Sequence, residues 1–289
     1  MSDSNNNKFM GLRYIPRTTT FKQHVSSANA AWPQAQAFDQ ALLILAAVSF
    51  LLGCALLLTN GLQTGFYTAQ ALSFILPAII WEHLSFMGDT LVVLTLALLF
   101  AYRYPHLLLA LLITAIVGTL ITHGIKPWLA TPRPPGVLDP GSFQLIGSSI
   151  SKKSMPSGHT LTAFAAAGLL TRLTTNRAIQ GLILIVAVFI GWSRVAVGVH
   201  WPADVCMGAA GGLISAWAGL KLCDRWQDVF KGRFYAVLLT IHAGCAVTLI
   251  NYDGGFPHTW LFAIAASAVS LGYIYHQLTF NHRLPKLKL

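Results

Sequence analysis

Apolar residues come in long runs along this chain, at 41–58, 88–102, 107–125, 160–173, 178–192, 205–222, 234–250 and 260–275. Runs of this length and continuity predict membrane helices rather than half-buried soluble ones. Several fall short of the roughly 17–25 residues of an ordinary span. The fourth extends back to Ser157, because the proline and serine of PSGH stand where a helix begins. A further run at 69–81 is short and contains Pro77, and it reads as an interfacial or re-entrant segment. The pattern predicts an all-α integral membrane protein of eight spans. A polar tail (1–40) precedes a six-span core (41–222), followed by two additional spans and a short basic tail (223–289).

Composition strengthens this reading. The chain is 55% hydrophobic and 10% charged, with a mean hydropathy of +0.60, whereas soluble domains carry about 25% charged residues. The first 23 residues have no apolar core, so they predict a disordered or surface-lying cytoplasmic tail and not a signal peptide. Cys54, Cys206, Cys223 and Cys245 lie in or beside apolar runs without CxxC spacing, which predicts buried inert thiols rather than a zinc site or disulfides.

The net charge of +10 would suggest nucleic-acid binding on a soluble protein, but here the cations follow a membrane topology. With eight spans and the N-terminus inside, 14 of the 19 Lys and Arg are cytoplasmic, all but Lys126, Arg133, Lys152, Lys153 and Arg194. If 69–81 also spanned, every later loop would change sides, leaving 9 inside and 10 outside. The positive-inside rule selects eight spans.

Three motifs then fall on the non-cytoplasmic face: KPWLATPRP, PSGH and SRVAVGVHWPAD. They supply Lys126, Arg133 and Arg194 as cations, His159 and His200 as imidazoles, and Asp204 as a carboxylate. Three cations around one point suit a dianion such as phosphate, with the arginines offering planar forks. A helix starting near Ser157 aims free N–H groups at the same anion, and Gly158 allows close approach. No carboxylate cluster is present in these motifs to hold magnesium, so neither metal nor cofactor is expected. Pro202 suits a first helical turn, placing Asp204 four residues after His200. Asp204 can fix one imidazole nitrogen of His200 and leave the other to attack phosphorus, while His159 serves as general acid.

In combination, Kx6RP, PSGH and SRx5Hx3D resemble the signature of the phosphatidic acid phosphatase type 2 family of membrane lipid phosphatases. The resemblance runs from about residue 88 to 222, with no departure among the motif positions. It implies a six-helix core and metal-independent dephosphorylation through a phosphohistidine. His200 is then the nucleophile, Asp204 its partner and His159 the acid, with Lys126, Arg133, Ser157, Gly158 and Arg194 as phosphate ligands. The implied partner is a membrane lipid phosphate or diphosphate, undecaprenyl diphosphate being favoured, at the outer face of a bacterial inner membrane. A lipid phosphotransferase and a non-catalytic lipid-binding or transport protein are the alternatives. An acceptor requirement would mark the first, and activity surviving His200→Ala the second.

Around the motifs, the Pro-, Gly- and Ser-rich stretch 134–155 is a loop long enough for a lid. Its Lys152 and Lys153 either attract anionic headgroups or are simply solvated. Trp128, Trp192 and Trp201 fit an interfacial belt. Gly208 and Gly212 in the sixth span, with Ala163 and Ala167 in the fourth, are small residues at four-residue spacing and predict close helix packing. His83, His123, His242, His258 and His276 read as ordinary hydrogen-bonded residues.

Overall fold

The computed structural model describes residues 32–33, 37–226 and 232–280. Nearly all of the N-terminal tail and most of the basic C-terminal tail lie outside the described residues. Among those described, the structure is helical and contains no strand. The helices are α1 (Ala37–Asn60), α2 (Phe66–Ser73), α3 (Ala78–Met87), α4 (Thr90–Leu96), α5 (Leu98–Ala101), α6 (Pro105–Leu129), α7 (Gly158–Thr171), α8 (Arg177–Ala196), α9 (Pro202–Arg225), α10 (Gly232–Leu249) and α11 (Trp260–Phe280).

Local chemistry starts and stops them. Asp89, Ser157 and Asn176 cap α4, α7 and α8 with side-chain oxygens, satisfying N–H groups that have no partner within the helix. Prolines open α6 and α9, where a missing N–H costs nothing.

The chain runs back and forth between two ends. At one, the end of α1 meets the start of α9 through Gly65 and Pro202, and Gly88 before α4 packs on His159. At the other, Arg172 after α7 joins Asp39 of α1 to Asp224 of α9. There too the Tyr235 hydroxyl, early in α10, donates to Ala101 O at the end of α5. Eight legs result, counting α4–α5 as one. Six regions are long and apolar enough to cross a membrane, starting in α1, α6, α8, α9 and α10 and just before α11. The α4–α5 leg and α7, at 14 residues, are shorter; α7 rises about 21 Å against a hydrocarbon core of ~30 Å.

The expected re-entrant segment is α2–α3, two helices bent by 115°. It leaves from Gly65 beside Pro202 and returns at Gly88 beside His159, so it begins and ends at the same end of the bundle. Gln70 fastens it there, its amide donating to Val195 O at 2.7 Å and accepting from Gln144 N at 2.9 Å.

Helix α9 is central, packing on α1, α6, α7 and α8. Its glycines make this possible: a Cβ at Gly208 would press on Ser157 O, and one at Gly212 on Leu161 O. Two expectations are corrected. Trp201 is not interfacial: it is fully buried, donating from Nε1 to Pro132 O at 2.8 Å and packing edge-on to Phe66. Of the cysteines only Cys223 is buried; the other three are half-buried, with Cys206 against Gly53 of α1 and Cys245 at the edge of the core.

Candidate active site

The three motifs meet at one end of the bundle because four helix termini meet there: the last turns of α6 and α8 and the first turns of α7 and α9. Lys126 stands in the last turn of α6 and Arg194 in that of α8. Arg133 follows α6, its Nε donating to Lys152 O at 3.0 Å and its Nη1 to Val199 O at 3.4 Å. Both bonds use carbonyls and leave its charge uncompensated. Arg194 is 5% exposed, donates to the Ser85 hydroxyl of α3, and has no partner on Nε. Neither Lys126, Arg133 nor Arg194 forms an ion pair among the described residues.

His200 lies in the short link between α8 and α9. Its Nδ1 is 3.2 Å from Asp204 Oδ2, which also accepts from Trp201 N at 2.8 Å and from the Ser154 hydroxyl. This arrangement follows from the sequence: Pro202 starts the helix, and Asp204 reaches back to the N-cap backbone as the N3 member of a capping box. His200 is buried, and burial followed by the charges of Arg133, Arg194 and Lys126 pushes its imidazole well below the ordinary 6.5. It is therefore neutral at neutral pH, with Nδ1–H toward Asp204 and the other nitrogen unprotonated.

His159 is the second residue of α7, and its Nε2 lies 3.8 Å from Asp89 Oδ2. Ser157 is used differently from the expectation. Its hydroxyl caps Thr160 N and its backbone N–H donates to Asp204 O at 3.0 Å. Open space lies where a Gly158 Cβ would point, so the backbone there can be approached closely, with Ser157 holding that turn to α9.

Sequence reasoning missed Asp89, Ser85 and Ser154, each in contact with a motif residue. Of these Asp89 carried a signal, an aspartate just ahead of the apolar run TLVVLTL, as helix starts prefer. The loop 134–155 is strapped down at several points. Arg133 N donates to Ser151 O, Ser154 N to Thr131 O and Ile146 N to Val197 O.

A cavity bordered by Lys126, Gly158, His159 and Asp89 runs between α4, α6 and α7. It adjoins a second, almost wholly apolar cavity reaching Leu170 and Leu182, the two sharing Val93, Leu111 and Ala166. The apolar trough thus lies next to the head cavity, with these three side chains between them.

The sequence model of the PAP2 superfamily matches residues 106–228, the stretch that carries all three motifs. Among curated relatives, an undecaprenyl-diphosphatase of Sulfolobus acidocaldarius is 32% identical over 124 residues, covering 43% of this chain and 57% of that protein. The putative undecaprenyl-diphosphatase YbjG of Escherichia coli is 44% identical over 87 residues, 27% of this chain and 43% of its own. The chain thus spans about half the length of these relatives. A solved PAP2-type phosphatidylglycerolphosphate phosphatase from Bacillus subtilis is 21% identical with a TM-score of 0.49, covering 63% of this chain and 96% of that one. The matched residues 106–228 cover α6 to α9 and the site's motifs; α4 and the two C-terminal helices lie outside the match.

Proposed function

We propose that this protein hydrolyses a membrane lipid phosphate or diphosphate, favouring undecaprenyl diphosphate, through a phosphohistidine at the non-cytoplasmic face of a bacterial inner membrane. The observation that carries the proposal is the buried His200–Asp204 pair facing three cations that have no carboxylate of their own. Lys126, Arg133 and Arg194 with the Gly158 backbone bind the phosphoryl group. The free nitrogen of His200 attacks phosphorus while the bond to the leaving oxygen breaks, and His159 gives that oxygen its proton. Asp204 stabilises the imidazolium as His200 takes on phosphorus. A water then attacks the phosphohistidine, loses its proton to His159 and releases phosphate, restoring both histidines. The cations meet the charge on the phosphoryl oxygens in both transition states. The donor set fits an anion and does not fit a divalent metal, which three cations would repel.

The substrate preference is supported by what the two curated relatives are called, and a lipid tail by the apolar cavity adjoining the head site. The topology that places the site outside rests on the distribution of Lys and Arg.

Purified protein in detergent with EDTA, given undecaprenyl diphosphate and phosphatidate side by side, is expected to release phosphate, whereas His200→Ala is not. Release that survives His200→Ala would remove the proposed nucleophile. Release only on adding a lipid acceptor would make the protein a phosphotransferase.

A further inference from the structure

Helices α10 and α11 lie beyond the segment that matches the superfamily, yet the turn between them folds over the start of α4. Gly254 (φ +64) packs on the Phe86 ring and Gly255 (φ +83) on the Ser148 hydroxyl, positions where a side chain is strained and obstructed. This close seat carries Tyr252 to Asp89. The Tyr252 hydroxyl donates to Asp89 Oδ2 at 3.0 Å. The other oxygen accepts from Leu91 N at 2.8 Å. Asp89 is thus held at both oxygens, with Oδ2 also 3.8 Å from His159 Nε2.

We infer that Tyr252 is a positioning residue for the proton-donating half of the reaction, holding the Asp89 carboxylate against His159, so that the C-terminal helix pair completes the site. The inference rests on the reading of His159 as the acid. To protonate a leaving oxygen, His159 must itself be charged. The titratable groups facing it are Arg194 from α8, Arg133 after α6 and Lys126 from α6, with His200 from the link before α9 and His123 of α6 along the same cavity. The three cations oppose a further positive charge. Asp204 is engaged by His200, Trp201 and Ser154, and Asp89 is the carboxylate paired with His159. Arg194 also attracts Asp89, and the Tyr252 bond keeps its oxygen turned toward His159. Burial and then the Asp89 charge push the Tyr252 phenol up to about 12, so it remains a donor throughout the physiological range.

The test pairs two probes, phosphatidate, whose alkoxide must be protonated to leave, and p-nitrophenyl phosphate, whose phenolate leaves without a proton. Asp89→Asn keeps a good N-cap for α4, so the fold survives the change. On phosphatidate, Asp89→Asn is expected to lower kcat by about 10–100-fold and Tyr252→Phe by about 3–10-fold, part of the range for a general acid. KM should change by less than about twofold, and the double variant should be no worse than Asp89→Asn alone, as for two members of one chain of contacts. On p-nitrophenyl phosphate the first-turnover burst of p-nitrophenolate, which reports phosphohistidine formation alone, should lose clearly less than phosphatidate turnover in both variants, because no acid is needed in that step. Equal losses on both probes, or none on phosphatidate, would overturn the inference. A wild type inactive on both would instead sink the hydrolase reading, and phenolate absorbance, taken as the difference from Tyr252→Phe, would then decide the Tyr252–Asp89 link. Ionisation near 12 in the wild type and clearly lower in Asp89→Asn supports it; identical titrations overturn it.

Discussion

Arg172, at the end of the bundle opposite the site, is 1% exposed and pairs with Asp39 at 3.1 Å and with both Asp224 oxygens at 2.8 and 2.9 Å, its guanidinium lying over the Trp32 ring. Arg194, 5% exposed at the site end, has a serine hydroxyl for company, an Nε without a partner, and two further cations for neighbours. A buried charge costs several kcal/mol unless it is paired. The chain meets that cost at one end with two carboxylates and leaves it standing at the other. The difference separates an arginine saturated by carboxylates from one with donors to spare, the state that the proposed phosphate-binding role requires.

Substitutions at the two arginines should therefore separate activity from stability. Arg194→Met is expected to cost the largest factor in turnover, about 10²–10³, the scale of losing one preorganised donor to a transition-state oxyanion. Its melting temperature should hold or rise, since an unpaired buried cation is removed. Arg172→Ala should do the reverse, destabilising the fold by about 3–5 kcal/mol because the cation that joins Asp39 to Asp224 is removed from a buried site. The folded fraction should turn over normally, as thermal melts and rates on the same preparations would show. Two arginines that behaved alike would erase the contrast.

The same logic sorts smaller changes. Gly212→Ala drives a methyl group into the Leu161 carbonyl and should cost about 1–3 kcal/mol by overpacking. Gly181→Ala, on α8 with open space around it, should be neutral or stabilising by up to about 1 kcal/mol. Melting curves compare the pair directly. The smallest expected effect concerns pH. Because burial and the surrounding cations hold His200 neutral well below 6.5, the nucleophile stays uncharged as pH falls. Between pH 7 and 6, phosphohistidine formation should fall by less than the roughly threefold that an ordinary imidazole would impose. A full threefold loss, absent in a substrate that does not titrate there, would show that the cations do not act on His200.

Much of this was legible in the sequence. Apolar runs predicted the legs, the Lys and Arg count refused a span to 69–81, and the motifs named every cation around His200. What escaped has a physical pattern. Tyr252 lies 163 residues from Asp89, and no periodicity joins a phenol in one turn to a carboxylate capping another helix. Ser157 was assigned to the anion because helix starts attract anions, but Asp204 O takes its N–H first. Trp201 was placed in an interfacial belt by type, and the pocket formed by Phe66, Val195 and Pro132 buried it instead. In each case a tertiary partner outcompeted the locally expected one.

The most direct test of the central claim is to stop the reaction on the enzyme and find the phosphoryl group. Wild-type protein mixed briefly with undecaprenyl diphosphate, quenched in base and digested, should carry phosphate on His200, and His200→Ala should carry none. Phosphate on His159, or steady turnover with no phosphorylated histidine at all, would contradict the account.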